Sequence, residues 1–189
     1  VQLTREKGIN VAPSTNGESA TEGKLRIYGQ KNDTGKLIAK GEKYQAGVGG
    51  NEDNGNGLIE IHGGKVDATG GDYGAGIGTG DEAGQNGGNG YVTPISIYGG
   101  TVTAQGGLDG AGIGGGNESQ VKVFIYGGTV KATGGSHGAG IGGGDDAGTF
   151  GVYIRGGTVE AHGGFQGAGI GGGFEGEHDV TVDISGGTV

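Results

Sequence analysis

Apolar and polar positions alternate over short stretches, and the alternation restarts at regular intervals. Val121, Val123 and Ile125 fall on one side of a five-residue run; Val130 and Ala132 do so in the next run, and Ala139 and Ile141 in the third. A period of two is that of a strand, not of a helix, and no helix of useful length fits between the glycine pairs that separate the runs. One unit therefore reads as three short strands joined by Gly-Gly corners. The string GGxVxAxGG recurs at 63–71, 99–107, 127–135 and 156–164, and GAGIG follows it at 74–78, 110–114, 138–142 and 167–171. An earlier, degenerate unit carries Leu25-Arg26-Ile27-Tyr28-Gly29, Leu37-Ile38-Ala39 and Gln45-Ala46-Gly47-Val48-Gly49.

Counted between the last Ile of successive first strands, the period is 34, 36, 28, 29 and 30 residues (Ile27, Ile61, Ile97, Ile125, Ile154, Ile184). Most of the variation lies after GAGIG, where a surface loop tolerates it. Segments that recur once per unit stack on their own copies in parallel, coil upon coil. Val66, Val102, Val130 and Val159 then form one inward ladder. Ala68, Ala104, Ala132 and Ala161 form a second, and Ile77, Ile113, Ile141 and Ile170 a third. The expected fold is all-β: a right-handed parallel β-helix, or three-sided β-solenoid, the hand following that of crossover connections. It has about five coils of roughly 28–36 residues and a truncated sixth beginning at Val180, on the order of 24 Å tall at strand spacing. Residues 1–23 lack the repeat; Val1, Leu3, Ile9 and Val11 fit one or two short strands before the turn signal Pro13-Ser14-Thr15-Asn16-Gly17, and the segment reads as an N-terminal cap or linker, with 24–189 as the repeat domain.

Composition sharpens this picture. Of 189 residues, 55 are glycine and only 2 proline, and glycine does not return every third residue, which excludes collagen. Fixed apolar positions argue against a disordered linker. With no cysteine, disulfides and thiolate metal sites are excluded. Methionine is also absent, so the chain is expected to be a piece of something longer. No apolar run approaches membrane-spanning length, so membrane insertion is not expected. The formal charge of −9, with scattered basic residues, argues against nucleic acid and other polyanions as partners.

The GGTVxAxGG and GAGIGGG strings resemble the glycine-rich repeats of large secreted or wall-attached proteins of Gram-positive and gut bacteria. They more distantly resemble calcium-containing β-helix proteins that bind plant cell-wall polysaccharide. The resemblance covers residues 25–189. It implies an extracellular or cell-wall-attached, non-catalytic adhesion or carbohydrate-binding role, and carries over no ligand motif residue by residue.

The variable outward positions hold the candidate chemistry. After the last Ile of each first strand stand Tyr28, His62, Tyr98, Tyr126, Arg155 and Ser185; two residues earlier stand Arg26, Glu60, Ser96, Phe124, Tyr153 and Asp183. Stacked coils bring Tyr98, Tyr126, Phe124 and Tyr153 into an exposed aromatic patch flanked by Arg155 and His62. Aromatic faces suit the C–H face of sugars, so this patch is the expected carbohydrate site; the competing reading is a cross-strand ladder that only stabilises the sheet.

The loops after GAGIG are acidic in every unit, with Glu52 and Asp53, Asp81 and Glu82, Glu118, Asp145 and Asp146, then Glu175, Glu177 and Asp179; of these Asp81, Glu82, Glu118, Asp145 and Asp146 are the expected metal ligands. Stacked carboxylates repel, and Ca2+ offsets that cost through several oxygen donors; the competing reading is a solvated, solubilising loop set. A column before GAGIG (Tyr44, Tyr73, Asp109, His137, Gln166) is too varied for a uniform ligand ladder and reads as corner decoration. Repeated glycines at Gly76, Gly112, Gly140 and Gly169 mark either a backbone constraint or a bare face open to a partner.

Catalysis has little support. No histidine cluster at metal spacing and no GxSxG turn is present, and Asp67, Lys131 and Glu160 share a column that reads as a solvated strand face. The alternatives to glycan binding are a structural stalk or spacer and a polysaccharide lyase or glycosidase. End-to-end or face-to-face self-association is a further possibility.

Overall fold

The structure, a computed structural model, describes residues 2–5, 7–11, 23–30, 35–83, 93–147, 150–176 and 180–189. Coil 1 comprises β1 (Gln2–Arg5), β2 (Ile9–Asn10) and β3 (Lys24–Ile27); coil 2 comprises β4 (Lys36–Lys40), β5 (Val48–Gly49) and β6 (Leu58–Ile61). Coil 3 is β7 (Lys65–Thr69), β8 (Ile77–Gly78) and β9 (Ile95–Ile97). Coil 4 is β10 (Thr101–Gln105), β11 (Ile113–Gly114) and β12 (Lys122–Ile125). Coil 5 is β13 (Thr129–Thr133), β14 (Ile141–Gly142) and β15 (Phe150–Ile154), and coil 6 is β16 (Thr158–His162), β17 (Ile170–Gly171) and β18 (Val180–Ile184).

Every third strand pairs, in parallel, with its copy one coil away, giving three six-stranded sheets wound as a right-handed parallel β-helix. The registers are those of the repeat. Val66, Val102, Val130 and Val159 are partners across β7, β10, β13 and β16, and Ala68, Ala104, Ala132 and Ala161 lie two positions on. Ile61, Ile97, Ile125 and Ile154 align in the third sheet. Ile77, Ile113, Ile141 and Ile170 align in the second. These side chains meet in one continuous core, with Ile61, Ile97, Ile113, Ile125 and Ile141 fully buried. Burying an Ile side chain stabilises by about 1.5–3 kcal/mol, so a narrow solenoid gains its stability as a sum over coils.

Three features differ from the sequence-based reading. First, the short strands expected within 1–23, β1 and β2, do not stand apart from the repeat. These continue the first two sheets in register, Leu3 opposite Leu37 and Ile9 opposite Val48. A short coil without the glycine motif thus fills the capping position. Its turn signal at Pro13 lies outside the described residues. Phased from β1 there are six coils, and Thr188 bridges Thr158 as the start of another.

Second, Ala139 does not share the core with Ile141. Both are buried, yet only Ile141 joins the core cluster. The Ala139 N–H donates to the Gly143 carbonyl at 2.9 Å, curling the segment so that β14 is only two residues long. Ala75 and Ala111 repeat this bond with Thr79 and Gly115.

Third, the repeated glycines are not a bare face. Gly76, Gly112 and Gly140 are buried, and a Cβ on Gly140 would stand 2.6 Å from the Gly169 carbonyl oxygen and 2.7 Å from the His162 nitrogen. The close-approaching backbone is the next coil of the same chain. Two residues on, Gly142 has φ +139°, which L side chains rarely adopt.

Candidate functional site

The outer face of the third sheet carries two parallel rows of side chains. Beyond each strand the ladder continues one residue: the N–H groups of His62, Tyr98, Tyr126, Arg155 and Ser185 donate to the last Ile carbonyl of the preceding coil. That bond fixes the first row at strand spacing, and the rings respond by stacking. Tyr28–His62 centroids are 4.7 Å apart, His62–Tyr98 4.7 Å and Tyr98–Tyr126 4.9 Å, all within 8° of parallel. In the second row Phe124 and Tyr153 stack at 4.8 Å, and Phe124 lies 6.1 Å from Tyr126.

The expected residues do come together, with changed roles. His62 is a rung between Tyr28 and Tyr98 rather than a flank. Tyr28, which stood in the outward column but not in the expected patch, is the most exposed rung at 65%, against 44% for Tyr98 and 45% for Tyr126. Arg155 is engaged: one Nη donates to Ser185 Oγ at 2.9 Å and the other to Asp183 Oδ2 at 2.7 Å, and its guanidinium carbon lies 5.6 Å from the Tyr153 ring centre. Arg26 closes the other end of the second row in an ion pair with Glu60, whose second neighbour is His62 at 3.7 Å.

This geometry alters the chemistry on offer. Inner rings have both faces covered by their neighbours, each pair contributing about 0.5–1.5 kcal/mol beyond area burial. What remains open along the strip is ring edges, phenolic hydroxyls and the imidazole rim. Stacking a sugar on a ring face is restricted to the ends of the ladder.

The acidic turns form a second column on another edge. Asp53, Glu82, Glu118, Asp146 and Glu175 occupy equivalent places and all have positive φ, between 46° and 60°. That conformation costs an L-residue roughly 1–2 kcal/mol, and no signal in the sequence marked it. The turns are bonded coil to coil, for example Glu118 N–H to the Asp145 carbonyl at 2.8 Å. The expected calcium ligands divide here. Glu82, Glu118 and Asp146 lie in this column, with Asp81 and Asp145 one residue before it. Glu177 and Asp179 lie outside the described residues.

Among the described residues, one group of three His, Cys, Asp or Glu side chains brings its ligand atoms within 4.8 Å of one another: Asp109, His137 and Asp145. Of the expected metal ligands it includes only Asp145. The corner column read as decoration supplies the rest, and its first members, Tyr44 and Tyr73, stack at 5.3 Å under the Lys43 ammonium.

Burial raises the carboxyls of Asp81, Glu118 and Asp145 above their ordinary range, and neighbouring carboxylates add to it. Hydrogen bonds hold three others below theirs: Glu60 with Arg26, Glu160 with His162 and then Lys131, and Asp183 with Arg155. The raised groups bind protons more readily folded than unfolded, so their burden is relieved as pH falls through their folded values. The lowered groups contribute stability above their ordinary values and lose it as pH falls further. The melting temperature is therefore expected to peak at about pH 4 to 5, near the ordinary carboxyl values, and to decline towards neutrality. In Asp81→Asn and Glu118→Gln the neutral-side decline should flatten. A melting temperature that climbs steadily to pH 7 in the native protein contradicts this balance.

Asp67, Lys131 and Glu160 stand in the outward register of the first sheet as expected. They are tied to neighbours on adjacent coils, Lys36 to Asp67 and Lys131 to Glu160, each at 2.9 Å.

Four segments, 59–81, 95–117, 125–145 and 152–174, match a family model described as a β-helix repeat. The matched segments each run from the third sheet of one coil into the next coil, in agreement with the parallel β-helix fold. No curated protein and no solved structure gives a match.

Proposed function

We propose that this β-helix repeat domain is a non-catalytic, extracellular binding module of a bacterial secreted or surface protein, and that its ligand is a linear polysaccharide. The observation that supports the reading is the exposed Tyr28–His62–Tyr98–Tyr126 ladder, which crosses four coils at constant spacing. A regular row of edge-on hydroxyls and an imidazole suits a ligand that itself repeats along a line. Sugar hydroxyls bond to the Tyr oxygens and the His62 rim, and a terminal or branching sugar stacks on the free end of the ladder. The net charge of −9 favours a neutral glycan over a polyanionic one.

One observation favours a stalk instead. Mutually covered ring faces, together with the ion pairs joining coils, are also what a purely structural sheet surface needs. Affinity electrophoresis through gels containing neutral polysaccharides separates the two readings. The native domain is expected to be retarded by at least one of them. Tyr126→Ala and Tyr153→Ala are each expected to weaken retention about tenfold, the loss of one well-placed hydrogen-bonding contact. Free passage of the folded native domain through the whole panel leaves the stalk. Release of reducing ends or unsaturated sugars points to an enzyme.

A further inference from the structure

The corner between the first and second sheets holds a chemistry separate from the aromatic ladder. Asp109 projects from coil 4, and His137 and Asp145 from coil 5. His137 Nδ1 is 2.6 Å from Asp109 Oδ1 and 3.7 Å from Asp145 Oδ2. All three side chains are largely shielded, Asp109 most of all at 10% exposure. Their backbones are held by the ladder between coils: His137 N–H donates to the Leu108 carbonyl at 3.0 Å and Asp145 N–H to the Asp109 carbonyl at 2.8 Å. From coil 6 the Phe174 ring lies 5.4 Å from the His137 ring, and the Phe174 N–H donates to the His137 carbonyl.

We infer that Asp109, His137 and Asp145 form a binding site for a borderline divalent transition-metal ion of the zinc or cobalt type, fastening coil 4 to coil 5. Donors bound at 2.0–2.2 Å to a common ion stand about 3–3.5 Å apart. His137 Nδ1 stands at 2.6 and 3.7 Å from the two carboxylate oxygens, either side of that range, and all three ligand atoms lie within 4.8 Å of one another. An imidazole nitrogen with two carboxylate oxygens is a donor set for zinc-like ions, whereas calcium takes oxygen donors and more of them. Two carboxylates facing one imidazole carry enough negative charge to compensate the ion in a partly buried place. The sequence hides the arrangement because Asp109 and His137 are equivalent members of one repeat column, while Asp145 belongs to another that meets it only through winding.

Titration of the metal-free domain with Co2+ at pH 7.5 tests the site by visible absorption. One equivalent is expected to bind, to be displaced by Zn2+, and to resist displacement by excess Ca2+. Asp109→Asn, His137→Gln and Asp145→Asn should each weaken binding by at least tenfold, while Asp146→Asn, on the neighbouring turn position, leaves it unchanged. Since a variant in the corner can fail to fold, the native protein supplies a second readout. Zn2+ should shift the His137 ring resonances and leave those of His62 and His162 in place. No stoichiometric binding, equal displacement by Ca2+, or a shift confined to His62 or His162 overturns the assignment.

Discussion

Replacing Gly135 with alanine is expected to cost the domain upwards of about 3 kcal/mol, enough to lose most of a marginal solenoid's stability. A Cβ there points into the carbonyl of Gly107, one coil away, and equivalent atoms on Gly107 and Gly164 would meet Gly71 and Gly135. The obstacle is backbone, and the backbone cannot retreat. Gly135 N–H donates to the Gly110 carbonyl, and the sheets on either side fix the rise. Gly172 is the control, since a Cβ there meets nothing within 4 Å; Gly172→Ala is expected to stay within about 0.5 kcal/mol of the native domain. Urea unfolding of both variants checks the contrast, and equal losses would remove close coil approach as the reason for the second glycine of each corner.

The second large effect is expected at Ile125. It is fully buried and stands in register between Ile97 and Ile154. Ile125→Ala removes contacts to both neighbouring coils and leaves a cavity that the tightly spaced strands cannot close, at a cost of about 2–5 kcal/mol. Val182 occupies an equivalent inward column in coil 6 but is 42% exposed, so Val182→Ala should cost under about 1 kcal/mol. Denaturant midpoints that fall alike for the two variants would contradict a core continuous from coil to coil.

Much of the fold was legible because the repeat is one coil deep. Val130, Ala132 and Ile141 recur at fixed offsets, and a parallel stack is the simplest way to bury all their copies at once. The first coil was legible only in part: Leu3 and Ile9 marked short strands, but β1 and β2 carry no glycine motif, and only pairing with β4 and β5 shows that they belong to the stack. Ala139 misled because alternation assumes an extended chain, while its bond to Gly143 curls it. At the aromatic strip the columns were readable, since Tyr98 and Tyr126 are equivalent positions. The closing of ring faces was not, because it depends on the rise between coils and on rotamers. Asp109, His137 and Asp145 lay beyond reach for a different reason. The corner column of one coil meets the turn column of the next, and the variable loops between them hide that adjacency in the sequence.

The acidic turns illustrate the same limit. Their charge was plain, but five acidic residues at positive φ were not, and only Asp145 of the expected ligands sits in the one close group of ligand atoms among the described residues. The strip of ring edges is the feature on which the functional account depends. Its most direct test keeps the stack and removes only the hydroxyls. In Tyr98→Phe/Tyr126→Phe the rings, their spacing and the melting temperature should be preserved, while retention on the polysaccharide that retards the native domain falls about tenfold or more, as two hydrogen-bonding groups are lost. Undiminished retention of this variant at an unchanged melting temperature would contradict recognition through the edges of the ladder.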